Sequence, residues 1–389
     1  MTWLRFRKKI HILLTVNDLI VGVVQKLAID QLRYHDRERF SFTLLTLMDF
    51  PGKETFYELV PKDVKVIRCH FSGLLDVRSW RGLYGIVREI NRDIVQTSMF
   101  FGNAVFRLLK PFFGYRVISA EHNTDKRPLW KRALDHILSW MTFVIVADSQ
   151  TVIDHVSKEE WIPKNKFRLI YNGIETSIIR ERLQKKEQDR REWRERLGIG
   201  MSAPVFLNVG RLTTQKAQML AIDGLAQLRK NQPDAHLAII GDGSLLKLLK
   251  QHVEAMGLKG YVHFLLSQNQ DGLFQAYNAS DIFFLTSTRE GFCIAAMEAL
   301  AFGLPVLSTR VAGVIEYLQE GVAGYFMERT PENVAASMKK VLELSPEDRS
   351  RMSRAATATA QDFGVDAYIR KYRELYEGCL KSEERLFIG

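Results

Sequence analysis

Short apolar, β-branched runs recur along the chain, with helix-length segments between them. In the first half they are Ile10–Val16, Phe42–Leu47, Val64–Arg68, Ile94–Ser98, Arg116–Glu121, Phe143–Asp148 and Phe167–Tyr171. In the second half they are Val205–Val209, His236–Ile240, Tyr261–Leu266, Ile282–Thr286, Val306–Thr309 and Gly324–Met327. Many are nearly continuous in apolar character. A strand of that kind is buried on both faces, which predicts parallel sheets covered by helices. Two successive sets predict an α/β chain with two doubly wound, Rossmann-like domains. The turn at Asn172-Gly173 and the strand-preceding Pro204 bracket the boundary. The expected organisation is therefore a domain over residues 1–175, a helical linker over 176–203, a second domain over 204–360 and a terminal segment over 361–389. Within the linker, Ile178–Leu197 reads as a solvated helix ended by Gly198 and Gly200. In the terminal segment, Val365–Leu380 has apolar residues at helical spacing and is expected to cross back to the first domain. Ligands of such domains sit at the carboxyl ends of strands, and two domains facing across a cleft enclose one.

Composition narrows this picture. With 389 residues, 46% hydrophobic and 26% charged, the chain is an ordinary globular one rather than disordered or fibrous. Its three cysteines, Cys69, Cys293 and Cys379, lie too far apart for a disulfide framework or a zinc spacing, so a cytoplasmic setting is expected. The basic start, Met1 to Lys9, is followed by an apolar run too short for a signal peptide, and no apolar run is long enough to span a membrane. The charge is uneven. Residues 1–200 hold 35 Lys+Arg against 24 Asp+Glu, a balance of +11, and residues 201–389 hold 20 against 21, a balance of −1. The excess in the first half points to an anionic surface. Nothing beyond charge points to nucleic acid.

The candidate chemistry lies in strand-end loops. After the first strand of the second half comes Asn208-Val209-Gly210-Arg211-Leu212-Thr213-Thr214-Gln215-Lys216. Gly210 lets backbone approach a ligand, Arg211 and Lys216 put two cations in one loop, and the next helix offers free N–H groups. Together these make a diphosphate clamp. Gly241-Asp242-Gly243 closes the next strand. It is either a tight turn or part of the same site, and it is not a dinucleotide fingerprint because Leu246 occupies the third glycine position. In Ser287–Val306 a strand end leads through Glu290 into an apolar helix that carries Glu298 and is stopped by Gly303 and Pro305. A carboxylate on such a helix needs partners, either an ion pair or a ligand.

These segments, with Ala312-Gly313-Val314-Ile315-Glu316, Gly22, Glu121-His122-Asn123-Thr124 and Leu169–Glu175, resemble the retaining nucleotide-sugar glycosyltransferases of family 4, which have the GT-B fold. The resemblance spans roughly residues 18–316. It implies that Arg211 and Lys216 hold the donor diphosphate. Glu290 would contact hydroxyls of the donor sugar, with the backbone of Gly291, Phe292 and Cys293 nearby. Glu298 would bind the ribose, and His122 would lie beside the transferred sugar unless its role is a structural hydrogen bond. Gly22, Gly210 and Gly241 would let backbone approach the donor. The donor would be a UDP- or GDP-type sugar, with no cofactor and no metal, since the two cations stand in for one and no convincing D-x-D motif appears. Three positions depart from the family pattern: Val23 and Ala217, where glycine is common, and Leu266, where glycine often follows the third strand.

The implied activity is transfer of a sugar to a glycan or lipid-linked acceptor in cell-surface polysaccharide or glycolipid synthesis. A nucleotide-sugar epimerase would need acid/base residues at the sugar carbon that are not identifiable. A non-catalytic binding or scaffold protein would bind the donor without turnover. Two apolar-basic stretches, Ser98–Gly114 with Arg107 and Lys110, and Leu129–Trp140 with Lys131 and Arg132, are candidates for peripheral contact with an anionic membrane, the inner face of the plasma membrane in a cytoplasmic protein.

Overall fold

A computed structural model describes residues 9–384 apart from positions 49, 51, 54, 125, 267 and 268. The basic start read from Met1 therefore lies, but for Lys9, outside the described residues. The chain divides into two compact units, one formed by the residues up to Gly173 and from Val365 on, the other by Ile174–Gly364.

The first unit holds a seven-stranded parallel sheet. Its strands are β1 (Ile10–Val16), β2 (Phe40–Thr46), β3 (Lys65–Arg68), β4 (Ile94–Ser98), β5 (Arg116–Glu121), β6 (Val144–Ala147) and β7 (Phe167–Leu169), in the order β3-β2-β1-β4-β5-β6-β7. Strand order reverses between β1 and β4, where Leu13 stands beside Val95. Ile12, Leu13, Ile94, Val95 and Val117 are fully buried, as unbroken apolar runs require. Helix Val365–Glu384 packs on helix Val23–Tyr34 in this unit. It buries Tyr368, Tyr372, Tyr376 and Cys379, one stripe at i, i+4, i+8 and i+11. Tyr368 accepts from Gln31 Nε2 at 2.6 Å, and Gln96 donates to Gln31 Oε1 at 2.9 Å, which satisfies these buried polar groups.

One of the two apolar-basic stretches is mostly core. In helix Met99–Phe113 the run Gly102–Arg107 is buried, and Arg107 donates to Asp135 Oδ1 at 2.8 Å and to Thr142 Oγ1 at 2.7 Å. Its guanidinium is spent inside the unit and cannot meet a membrane.

The second unit holds a six-stranded parallel sheet of β8 (Val205–Val209), β9 (His236–Ile240), β10 (Val262–Leu265), β11 (Ile282–Leu285), β12 (Val306–Thr309) and β13 (Gly324–Met327), in the order β10-β9-β8-β11-β12-β13. The reversal falls between β8 and β11, with Phe206 beside Ile282. The segment expected as one solvated helix is instead two helices, Thr176–Leu183 and Lys186–Leu197, and the second packs on helix Gln270–Ala279. Trp193 and Arg194 are buried there. Arg194 gives its protons to the carbonyls of Ala279 and Ala203, at 2.9 and 2.7 Å, and to Asp281 at 2.8 Å. Because these acceptors lie on other elements, an Arg- and Glu-rich helix looks solvated in sequence and is half core in space.

Candidate active site

The loops after β8 and β11 meet at the point where strand order reverses, the usual ligand position of an open α/β sheet. Side-chain and backbone bonds zip them together. Thr288 N donates to Gln215 O at 2.8 Å, Gln215 Nε2 donates to Arg289 O at 3.0 Å, and the Thr286 hydroxyl reaches the carbonyls of Lys216 and Ala217, each at 3.0 Å. Gly210 has φ +155, and a Cβ there would stand 3.1 Å from Lys216 Cε, so the lysine stem lies against bare backbone. Gly241 is accounted for by the chain itself. A Cβ on it would fall 2.1 Å from Gly210 O, and one on Gly243 would fall 2.4 Å from Leu212 O. The Gly-Asp-Gly turn thus clamps the β9 end onto the loop that carries Arg211.

Lys216 and Glu290 are each other's partner. Lys216 Nζ donates to Glu290 Oε1 at 2.7 Å, and the Ser287 hydroxyl donates to the same oxygen. Burial works against the lysine's charge, but Cys293 and Glu290 outweigh it, and its pKa is raised. Arg211 is exposed, and among the described residues no carboxylate pairs with it. One cation of the predicted clamp is therefore open and the other is shared with the residue expected on the sugar side.

The helix that follows is Ile294–Ala301, shorter than the apolar run suggested, with Cys293 as its N-cap at φ +63. Burial pushes the Cys293 thiol up to about 12, with Glu290 adding to the rise, so it is not an activated nucleophile. Phe292 stacks its ring against Tyr317 and Phe363, at 5.3 and 5.6 Å between centroids, and is core. At Phe292 and Cys293, then, only the backbone can serve a ligand. Gly291 is held from behind, since a Cβ on Gly313 would overlap Gly291 O at 1.7 Å. Glu298 is half-buried and accepts from the Tyr277 hydroxyl at 3.1 Å. Tyr277, 21 positions earlier on helix Gln270–Ala279, carries no local signal for this role.

In the first unit, the reversal between β1 and β4 brings together the loop after β1, where Gly22 caps helix Val23–Tyr34, and the start of helix Met99–Phe113. Val23 is the first helical residue and is 53% exposed, so its side chain faces outward rather than into the sheet. Met99 has φ +64. His122 follows β5 directly. Its Nδ1 lies 3.2 Å from Asp148 Oδ2, an oxygen that also accepts from Asn172 Nδ2 at 3.0 Å. With the Nδ1 proton on that bond, Nε2 of the neutral ring is the acceptor. Val24 and His122 line one cavity of about 20 Å³, so the first turn behind Gly22 lies beside the imidazole. Asp148 and Asn172 were not singled out from sequence as partners of His122. The visible signal is position alone, since Asp148 follows β6, the neighbour of β5, and Asn172 follows β7, one strand further on.

Three of the four non-glycine residues with positive φ among the described ones begin helices that follow strands at the two reversals: Met99, Ala217 and Cys293. Such strain collects where surrounding structure over-determines the backbone, as at ligand sites.

Known proteins agree with this layout. A sequence model of the family described as Glycosyltransferase Family 4 matches residues 24–178, and one described as Glycosyl transferases group 1 matches residues 189–359. An uncharacterized glycosyltransferase of Methanocaldococcus jannaschii is 28% identical over 211 residues, 54% of this chain and 53% of that one. N-acetyl-alpha-D-glucosaminyl L-malate synthase of Bacillus anthracis is 24% identical over 308 residues, 77% of this chain and 78% of that one. The chain spans about half the length of most of the curated relatives it matches. Among solved structures, Anabaena HepE in complex with UDP and glucose superposes with a TM-score of 0.80 at 20% identity, covering 95% of this chain and all of that one.

Proposed function

The chain belongs to the group 1 and family 4 glycosyltransferases with the GT-B fold, and from that premise we propose a retaining, metal-independent enzyme. Its donor is a nucleoside diphosphate sugar of UDP or GDP type, and the UDP and glucose complex of HepE supports the first. Its acceptor is a glycan or lipid-linked sugar of a cell-surface polymer or glycolipid. The observation that carries the reading is the open Arg211 guanidinium beside the Lys216–Glu290 pair at the β8/β11 reversal.

Glycosyl transfer builds positive charge on the sugar ring and negative charge on the departing diphosphate. Cations fixed before reaction favour that charge separation over the ground state, which is where rate acceleration comes from. Arg211 and Lys216 supply the charge at the leaving group. Glu290, held by Ser287 and Lys216, is placed to accept from sugar hydroxyls, and Glu298 from those of the ribose. The shared lysine ties sugar recognition to leaving-group stabilisation, since one ammonium touches both. His122 needs no charge for its part: its neutral Nε2 can accept from the sugar while Asp148 fixes the ring.

A thermal-shift screen over UDP- and GDP-sugars, followed by slow hydrolysis of the best donor without acceptor, tests this. Stabilisation by one donor with hydrolysis that survives a chelator is expected. Stabilisation without turnover under any acceptor would make the protein a binding relative. A product of inverted anomeric configuration, read by NMR, would overturn retention.

A further inference from the structure

Helix Leu129–Ser139 is built inside out. Its inward face is polar, with Asp135 and Ser139 buried beside Leu138, and Asp135 is held by Arg107 and by Arg127 Nη1, each at 2.8 Å. Its outward face is apolar: Leu129, Trp130 and Ile137, with Trp140 at the C-cap, are 59–69% exposed. A helix that only packs on its own domain shows the opposite pattern. Beside it stands Trp161, half exposed and held at φ +54, a backbone conformation that costs a bulky residue energy and here turns an indole outward.

We propose that this face is a docking surface for an anionic lipid bilayer, lying in the plane of the headgroups. The charge around it selects that occupant. The helix's one acidic side chain is buried and neutralised, while cations stand over the aromatic rings. Lys131 Nζ lies 5.4 Å from the Trp130 ring centre, Lys166 Nζ 5.8 Å from that of Trp140, and the Arg132 guanidinium 4.8 Å from that of Trp161. Indoles flanked by lysine and arginine match a bilayer interface, where rings enter the acyl boundary and ammonium groups meet phosphates. A second copy would set the same cations against themselves. At 11 residues the helix lies on a membrane rather than through it, and among the described residues no helix is long and apolar enough to cross one. The surface goes beyond the glycosyl-transfer reading and is measured without turnover, so either can fail alone.

The test is sedimentation of the full chain with phosphatidylcholine vesicles, with and without about a third phosphatidylglycerol, at low salt. Binding only to the anionic vesicles is expected, released at about 0.5 M salt by screening. Trp130→Ser/Trp140→Ser should lower the bound fraction on the order of tenfold by removing interfacial anchors, and Lys131→Glu about as much by reversing charge. Both variants should keep the wild-type thermal midpoint, because the altered side chains are surface ones. Wild-type protein left in the supernatant with every vesicle overturns the proposal. So does self-association by analytical ultracentrifugation that Trp130→Ser/Trp140→Ser abolishes while vesicle binding is unchanged, which assigns the face to a second copy.

Discussion

The β8/β11 reversal of the second unit and the stretch after β5 in the first are held in different ways. Beside the Lys216–Glu290 pair, the loops at β8/β11 are fastened by uncharged contacts: backbone bonds such as Thr288 N to Gln215 O, threonine hydroxyls on carbonyls, and glycines whose missing side chains let one loop lie on another. In the first unit the stretch after β5 is fastened by buried charge. Arg127 donates to Asp135 and Glu160, each at 2.8 Å, and to Glu121, while Arg107 shares Asp135. Three carboxylates there face two guanidiniums. The first arrangement leaves Arg211 open to a ligand, whereas the second uses its charges to build the wall. The binding chemistry is therefore expected to depend most steeply on the second unit, and pH-dependent stability on the first.

The largest effect expected from that contrast is at Arg211. It is exposed and has no carboxylate partner among the described residues, so Arg211→Ala removes charge stabilisation and little structure. Turnover should fall by about 10²- to 10³-fold with the thermal midpoint unchanged. Near-normal turnover would mean that the leaving group departs elsewhere, and the contrast between the two regions would break.

A smaller loss, about tenfold to a hundredfold in kcat, is expected for Asp148→Asn, with His122→Ala at or beyond the upper end of that range. Asp148 is a positioning residue: it touches His122 and Asn172, and through them fixes which imidazole nitrogen accepts. An altered kcat with KM nearly unchanged, and a changed pH profile, would mark positioning. Equal losses in stability and in both kinetic constants would mark a purely structural bond.

Stability should depend on pH in the first unit. Burial raises Glu160 to about 8 and Asp135 to about 6, with Glu121 adding to both. A carboxyl whose folded pKa lies above its unfolded one binds more protons when folded. The stabilisation is complete at low pH and is lost as pH rises through the folded value. The thermal midpoint should therefore decline between about pH 5 and 8, and Glu160→Gln should flatten the decline by removing the surplus negative charge. A midpoint that rises across this window would contradict the three-to-two count.

Most of the fold was legible because buried parallel strands announce themselves as unbroken apolar runs. All thirteen runs became strands, with ends displaced where polar residues blur them: β2 begins at Phe40, before Ser41, which interrupts the apolar run. Arg211, Lys216 and Glu290 were legible because they lie in short segments next to strand ends. What sequence could not show is pairing across elements. Lys216 meets Glu290 over 74 positions, Tyr277 meets Glu298 from another helix, and Arg194 is satisfied by carbonyls that no side-chain pattern reveals. The two membrane candidates looked alike as strings. They separate only when Arg107 is seen inside and Trp130 outside.

The smallest effect tests whether strain at the β8/β11 reversal serves the ligand or merely persists. Ala217 caps helix Gln218–Leu228 at φ +49, ψ 42, where an L-residue costs about 1–2 kcal/mol and glycine nearly nothing. Ala217→Gly relieves that cost but loses about 0.5–1 kcal/mol through the freer unfolded chain, so a net gain of about 0.5–1 kcal/mol remains. The thermal midpoint of the second unit should rise by roughly 1–4 °C. Its carbonyl still accepts from Thr286 in the variant, so the zip between the loops is retained. With Lys216 one residue away, unchanged turnover would show that the hydrogen bonds alone place the ammonium. A drop in turnover alongside the gain in stability would show that the alanine's stiffness, not only the zip, holds Lys216 against Gly210.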